Sequence, residues 1–184
     1  MLILASNSQR RIKLLSDIGL TFKTIVNEVS EEVEKNLRPH EIVETLSKRK
    51  AQAAFEKHPK DTIIAADTIV YLDGEVIGKP KDEDEAFLML KKLSGQKHYV
   101  YTGVTIVNQY KEKTFYSQSE VYMKQLNDIQ IYEYIRTEEP LGKAGAYAIQ
   151  GEGGKLIEKH TGDFFTIMGL PVKELQKHLK EFNY

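Results

Sequence analysis

Several short stretches of the chain combine residue types that chemistry can use. Ser6-Asn7-Ser8-Gln9-Arg10-Arg11 sets hydroxyls and two guanidiniums at the start of a helical pattern. A helix N-terminus collects free amide N–H groups, and the arginine fork matches phosphate oxygens in pairs. Ser6, Ser8 and Arg10 therefore suit a phosphate cradle. A Ser N-cap followed by solvated arginines is the plainer account of the same residues. Ala65-Ala66-Asp67-Thr68 ends an apolar β-rich run on a carboxylate. Burying that group is expensive unless it holds a proton, a metal or a charged partner. Ile69 and Val70 continue the apolar run, which argues against a simple surface turn there.

Lys50 falls on the apolar stripe of a helix, four residues after Leu46 and three before Ala53. Lysine avoids such a face unless its stem snorkels or its ammonium has a partner. In Gly78-Lys79-Pro80 the proline restricts Lys79 to extended geometry and projects its ammonium from the chain. Gln150, between Ile149 and Gly151, offers an amide that both donates and accepts and so can read the edge of a base. A loop glutamine is the plainer reading. Glu28, Glu31, Glu32 and Glu34 form an acidic run able to contribute to a divalent-cation site or simply to a solvated surface. The five histidines are scattered without metal-ligand spacing and read as incidental.

These groups must be positioned by a modest set of elements. Leu2 to Ala5 reads as a buried strand, followed by a polar loop and a helix with Ile12, Leu14, Leu15 and Ile18 as its stripe and Gly19 as its C-terminal stop. Thr21 to Val26 reads as a second strand. Pro39 opens a helix whose apolar face is Ile42, Val43, Leu46, Ala53 and Ala54. Thr62 to Ala66 and Ile69 to Leu72 read as strand, and Asp73-Gly74 is a two-residue hairpin signal returning through Val76 and Ile77. Asp82 to Gly95 reads as a helix with Phe87, Leu88, Leu90 and Leu93 inward. Strands at Tyr99 to Val107 and Phe115 to Leu126, a helix near Ile129 to Ile135, a glycine-rich loop from Gly142 to Gly154 and a helix after Pro171 complete the chain. Strands interspersed with helices and long hairpins indicate an α/β or α+β protein with a mixed sheet.

Composition narrows the function classes. The 184 residues suit one domain, 1–184, or two small lobes on one core. There is no cysteine, which excludes disulfide scaffolds and thiol catalysis and leaves no sulfur-ligated zinc site. A net charge of -1 argues against a general nucleic-acid binder. No apolar run approaches a membrane span, and the N-terminus lacks the basic region of a signal peptide. The expectation is a soluble, cytoplasmic protein with no nucleic-acid or membrane partner.

As an ordered set, these motifs resemble the Maf family of nucleoside triphosphate pyrophosphatases. Leu4-Ala5-Ser6-Asn7-Ser8-Gln9-Arg10-Arg11 is similar to the family's opening S-x-S-P-R-R. Lys48-Arg49-Lys50-Ala51, Ala66-Asp67-Thr68, Gly78-Lys79-Pro80, Lys92-Leu93-Ser94-Gly95, the stretch Lys143 to Gly151 and Gly169-Leu170-Pro171 follow in the family's order, across nearly the whole chain. Gln9 departs from the pattern, standing where the family has proline. The resemblance implies a mixed, twisted sheet flanked by helices, with two lobes and a cleft, like inosine triphosphate pyrophosphatases. It implies hydrolysis of a nucleoside triphosphate to the monophosphate and pyrophosphate with Mg²⁺ or Mn²⁺. Asp67 matches the proton acceptor, and Ser8, Arg10, Lys50 and Lys79 match groups that neutralise the triphosphate. The metal would be held by Asp67 with Glu31 or Glu32. Arg11, Thr68 and Gln150 match the positions marking the branch that prefers dTTP and UTP, and modified pyrimidine nucleotides are further substrates on this reading. A homodimer is compatible with the resemblance. Two alternatives stand beside it: a non-catalytic nucleotide-binding regulator of septum formation, and a 7-methyl-GTP pyrophosphatase, which this chain resembles less at those three positions.

Overall fold

A computed structural model describes all residues, 1–184. In chain order the elements are β1 (Leu2–Ala5), α1 (Gln9–Asp17), β2 (Lys23–Ile25), α2 (Pro39–Lys57), β3 (Thr62–Leu72), β4 (Glu75–Ile77), α3 (Glu83–Leu93), β5 (Lys97–Val107), β6 (Glu112–Met123), α4 (Asp128–Ile135), β7 (Ile157–Thr161), α5 (Phe164–Met168) and α6 (Val172–Leu179). The strands form one sheet in the order β2-β1-β3-β5-β6-β7, with β4 paired to β3. β1 runs parallel to both β2 and β3, whereas β3–β4 and β6–β7 are antiparallel. The fold is therefore mixed α/β, a mixed sheet flanked by helices. No helix is long and apolar enough to cross a membrane.

The chain divides into two compact units. Unit 1 comprises residues 1–68, 102–117 and 169–184. Every residue of β1 is buried, as expected of a parallel strand covered on both faces. Ile3, Ala5, Ile63, Ala65 and Val107 from the strands pack with Ala51 and Ala54 from α2. Small residues on both sides let the helix lie close. The two come close at Gly103, where a Cβ would come within 2.4 Å of the Val43 carbonyl. Ser47 adds a buried hydroxyl contact to Thr105 at 3.0 Å. This packing decides which side of α2 faces the sheet, and Lys50 is carried with it.

Unit 2 comprises residues 69–101 and 118–168. Its hairpin turns at Asp73 and Gly74, both at positive φ (47° and 88°), the conformation a two-residue turn of this kind demands. α3 starts at Asp82, whose carboxylate accepts the Glu85 N–H at 2.8 Å. α3 and α4 pack together, with Phe87 stacked on Tyr132 at 4.7 Å.

Several sequence expectations change. The second strand is confined to Lys23–Ile25, and Val26 is exposed. Ala86, Leu90 and Leu93 form the buried face of α3, while Leu88 points outward. Leu88 lies two positions from Ala86 and so falls on the far side of the helix. Asp67 stands inside an uninterrupted strand rather than at the end of one. β7 and α5 arise where no element was expected. Their sequences lack a clean period, and β7 is held by pairing with β6, irregular at Tyr122/Met123.

Candidate active site

In unit 1, three charged side chains meet where α2 faces β3. The Lys50 ammonium donates to Asp67 Oδ1 at 2.5 Å and to Glu31 Oε1 at 3.2 Å. The Lys50 and Asp67 side chains are 18% and 11% exposed, and that of Glu31 is 59% exposed, so the pair is sheltered and open on the Glu31 side. This settles the question raised by a lysine on an apolar stripe: its charge has a partner. Of Glu31 and Glu32, it is the Glu31 carboxylate that reaches Lys50. At Glu32 the backbone carbonyl is engaged, accepting from the Arg49 guanidinium at 2.8 Å.

One residue along β3, Thr68 anchors Arg11. The Arg11 Nη2 donates to Thr68 Oγ1 at 3.0 Å and Nε donates to the Gly169 carbonyl at 2.8 Å. Thr68 Oγ1 also meets the buried Thr102 hydroxyl at 2.9 Å. Gly169, at φ 108°, has Thr68 Oγ1 3.3 Å and Arg11 Nε 3.5 Å from where a Cβ would stand. Burial pushes the Arg11 guanidinium down to about 10, against the pull of Asp67, which raises it, and with a further lowering from Arg10. Arg11 stays charged at neutral pH, with two of its donors holding it in place.

Ser8 caps the N-terminus of α1 in extended conformation, and its hydroxyl makes no capping bond. Its N–H donates to Ser6 Oγ at 3.2 Å, which ties the loop's two serines together. Arg10 follows in the first turn, half-buried. Gln9 is the first residue of α1, a position where proline is favoured because its missing N–H is not needed. Glutamine there forgoes only the pre-set φ and leaves the hydroxyls and guanidiniums in place.

In unit 2, Lys79 is exposed beside the buried Pro80, and Gln150 is exposed at the end of the buried run Gly145–Ile149. The Gly145 N–H donates to the Gly78 carbonyl at 2.9 Å, so the two motifs carrying Lys79 and Gln150 are directly joined. The site thus falls into sets: Lys50, Asp67 and Glu31; Arg11 and Thr68; Ser6, Ser8 and Arg10; and the joined loops of Lys79 and Gln150. Sequence reasoning missed Thr102, which carries no signal beyond being a threonine in a strand. It also read His98 as incidental, whereas that ring is fully buried and bonded through Nε2 to the Tyr147 hydroxyl at 2.8 Å.

No group of three or more His, Asp and Glu side chains converges as a complete metal cage. A hard divalent cation such as Mg²⁺ uses one or two carboxylates together with water and substrate phosphates. Asp67 and Glu31 already converge on one cation, the Lys50 ammonium, and so fit that pattern.

The architecture is similar to that of Ham1 proteins. A Ham1 protein of Staphylococcus aureus superposes with a TM-score of 0.58 at 16% identity, covering 98% of each chain. A HAM1 protein of Coxiella burnetii does so with 0.52 at 14%, again covering 98% of each. Within that architecture the chain belongs to the Maf family: the family model for Maf-like protein matches residues 1–182. Similar relatives bear the name dTTP/UTP pyrophosphatase. That of Carboxydothermus hydrogenoformans is 47% identical over 98% of each chain. That of Acholeplasma laidlawii is 46% identical over 100% of this chain and 97% of its own, and that of Caldicellulosiruptor bescii is 44% identical over 100% and 95%.

Proposed function

We propose that this protein hydrolyses dTTP and UTP, and modified pyrimidine nucleotides of the same base pattern, to the monophosphate and pyrophosphate. The observation that carries the reading is the adjacency of Asp67, paired to Lys50, and Thr68, paired to Arg11, on one strand. A proton acceptor and a fixed hydrogen-bond donor are thereby held in register by a single backbone. Relatives matched over their full length and named dTTP/UTP pyrophosphatase support the substrate choice. They favour it over a 7-methyl-GTP pyrophosphatase and over a regulator without turnover.

On this reading Asp67 accepts a proton from the water that attacks the α-phosphorus. The new P–O bond forms as the bridging bond to the β-phosphate breaks, and pyrophosphate departs. Lys50, Lys79, Arg10 and the Ser6–Ser8 loop bind the phosphate oxygens and offset their charge. Lys50 exchanges its bond to Asp67 for one to phosphate, which frees the carboxylate to take the proton. Asp67 and Glu31 would hold Mg²⁺ or Mn²⁺, which when bound supplies charge neutralisation at the phosphate oxygens. Arg11 donates to a carbonyl of uracil or thymine, and the Gln150 amide accepts from N3–H and donates beside it. The thymine methyl lies off that edge, so both bases are accepted. The substrate is a free nucleotide of the cytoplasm.

Pyrophosphate release from UTP, dTTP, CTP, ATP and GTP, with and without Mg²⁺ or Mn²⁺, tests the reading. UTP and dTTP should exceed the others in kcat/KM, with CTP weaker. A purine triphosphate hydrolysed as well as UTP would overturn the substrate assignment, and no turnover of any triphosphate with either metal would overturn the enzyme.

A further inference from the structure

Successive backbone amides in a glycine-rich turn make a cavity for an anion. The turn at Gly151–Gly153 makes one, and the chain itself supplies the anion. Glu139 Oε1 accepts the Glu152 N–H at 3.0 Å, and Oε2 accepts the Gly153 N–H at 2.8 Å. Tyr134 completes the bracket: its hydroxyl donates to Glu139 Oε2 at 2.6 Å and accepts the Ala148 N–H at 3.2 Å.

Glycine is required at two places by this arrangement. A Cβ at Gly151 would stand 1.8 Å from Glu139 Oε1, and one at Gly153 would stand 2.6 Å from the Tyr134 hydroxyl and 2.8 Å from the Ala148 carbonyl oxygen. The backbone before Gln150, at Ala148, and the backbone after it, at Glu152 and Gly153, are thus tied to one pair of side chains. Gln150 itself is exposed at the corner between these ties.

We propose that Glu139, acting with Tyr134, is a positioning residue for base selectivity: it holds the 148–153 turn so that Gln150 presents its amide to the pyrimidine. A corollary is that the Glu152 and Gly153 amides hold no substrate phosphate, because Glu139 already occupies them. The proposal rests on the reading above that Gln150 meets the base. Glu139 touches neither substrate nor reacting atoms; its effect passes through the turn.

The test is kcat/KM for UTP and CTP in the wild type, Glu139→Ala, Gln150→Ala and the double variant, with Glu139→Gln and Tyr134→Phe beside them. Glu139→Ala should lower the UTP-over-CTP ratio on the order of 10-fold, within the range of one lost base contact. Most of that change should lie in KM for UTP. The double variant should be no less selective than Gln150→Ala alone, since both changes remove the same contact. Glu139→Gln, which keeps an acceptor oxygen for one amide, should recover part of the ratio. Amide hydrogen exchange at Glu152 and Gly153 should accelerate in Glu139→Ala, reporting the lost anchor without reference to activity. A folded Glu139→Ala with the wild-type ratio, an equal loss on UTP and CTP, or losses that multiply in the double variant would each overturn the positioning role. Should Glu139→Ala fail to fold, unchanged ratios in both Glu139→Gln and Tyr134→Phe would overturn it as well. A wild-type enzyme without preference for UTP over CTP would overturn the reading of Gln150 itself, and is told apart from the other failures by the first measurement.

Discussion

Arg11 in unit 1, half-buried, and His98 in unit 2, fully buried, are both ionisable groups that burial pushes downward. Arg11 falls from its ordinary strongly basic range to about 10 and His98 from 6.5 to about 4. The displacement is similar, yet the consequences are opposite. Arg11 starts so high that it stays cationic, helped by Asp67. His98 starts near neutrality and loses its charge, so that its ring meets Tyr147 as a neutral partner and leaves Nδ1 without one. The same desolvation therefore yields a fixed cation at one place and an uncharged prop at another. What decides is the intrinsic basicity of the group and whether an anion stands nearby. The corner around Arg11 suits work on a charged substrate, whereas the His98–Tyr147 contact suits holding the glycine-rich stretch to which Tyr147 belongs.

The comparison breaks most decisively at Asp67, the anion that unit 1 has and the surroundings of His98 lack. Asp67→Asn should keep the fold and nucleotide binding but lower kcat by roughly 10²–10⁴-fold, the usual size of a general-base effect. Steady-state kinetics on UTP decide this, and a wild-type kcat at neutral pH would remove Asp67 from the role.

The next effect belongs to His98 and to acid. Its folded-state pKa lies below its unfolded value, so the unfolded chain binds the extra proton first as pH falls. The neutral ring leaves stability untouched above about 6.5, and stability is then lost as pH drops toward about 4. The full loss is about 3 kcal/mol, from the span between those values at about 1.4 kcal/mol per unit. Denaturation midpoints of the wild type and His98→Gln across that range should converge as pH falls, because the variant lacks this proton. Parallel curves would show that His98 is not buried uncharged.

Arg11→Ala sharpens the other side of the comparison. It should narrow the preference for UTP over CTP and GTP by about 1–3 kcal/mol in kcat/KM, the scale of one good base contact. Unchanged ratios would place base reading elsewhere. The smallest effect is expected at Thr102→Val, which keeps the shape and removes the hydroxyl that meets Thr68. The same selectivity should weaken by about 1 kcal/mol or less, the net size of one neutral hydrogen bond. An effect as large as that of Arg11→Ala would mean that Thr102 does more than steady Thr68.

Much of this protein was legible in its residues alone. The alternation of apolar runs with polar loops named β1, α1, α2 and the β3–β4 hairpin, because those elements rest on local period, capping and turn chemistry. The ordered motifs named the family and singled out Arg11, Lys50, Asp67, Thr68, Lys79 and Gln150 as candidates. A partner for Lys50 was one of two accounts open to a lysine on an apolar stripe, the other being a snorkelling stem. That the anion would be Asp67 together with Glu31 was not legible, because those residues are brought to Lys50 by the register of α2 over β3. Thr102 behind Thr68, Glu139 within the Gly151–Gly153 turn and His98 against Tyr147 were hidden for the same reason. Each is an ordinary residue whose role comes from a neighbour distant in sequence. Side-chain type and spacing report what a segment can do by itself, whereas hydrogen-bond partners and buried charge are settled by which segments pack together. The chain's own order thus determined the chemistry available to this protein, and tertiary packing alone decided which groups are paired, which stay charged and which merely hold the others in place.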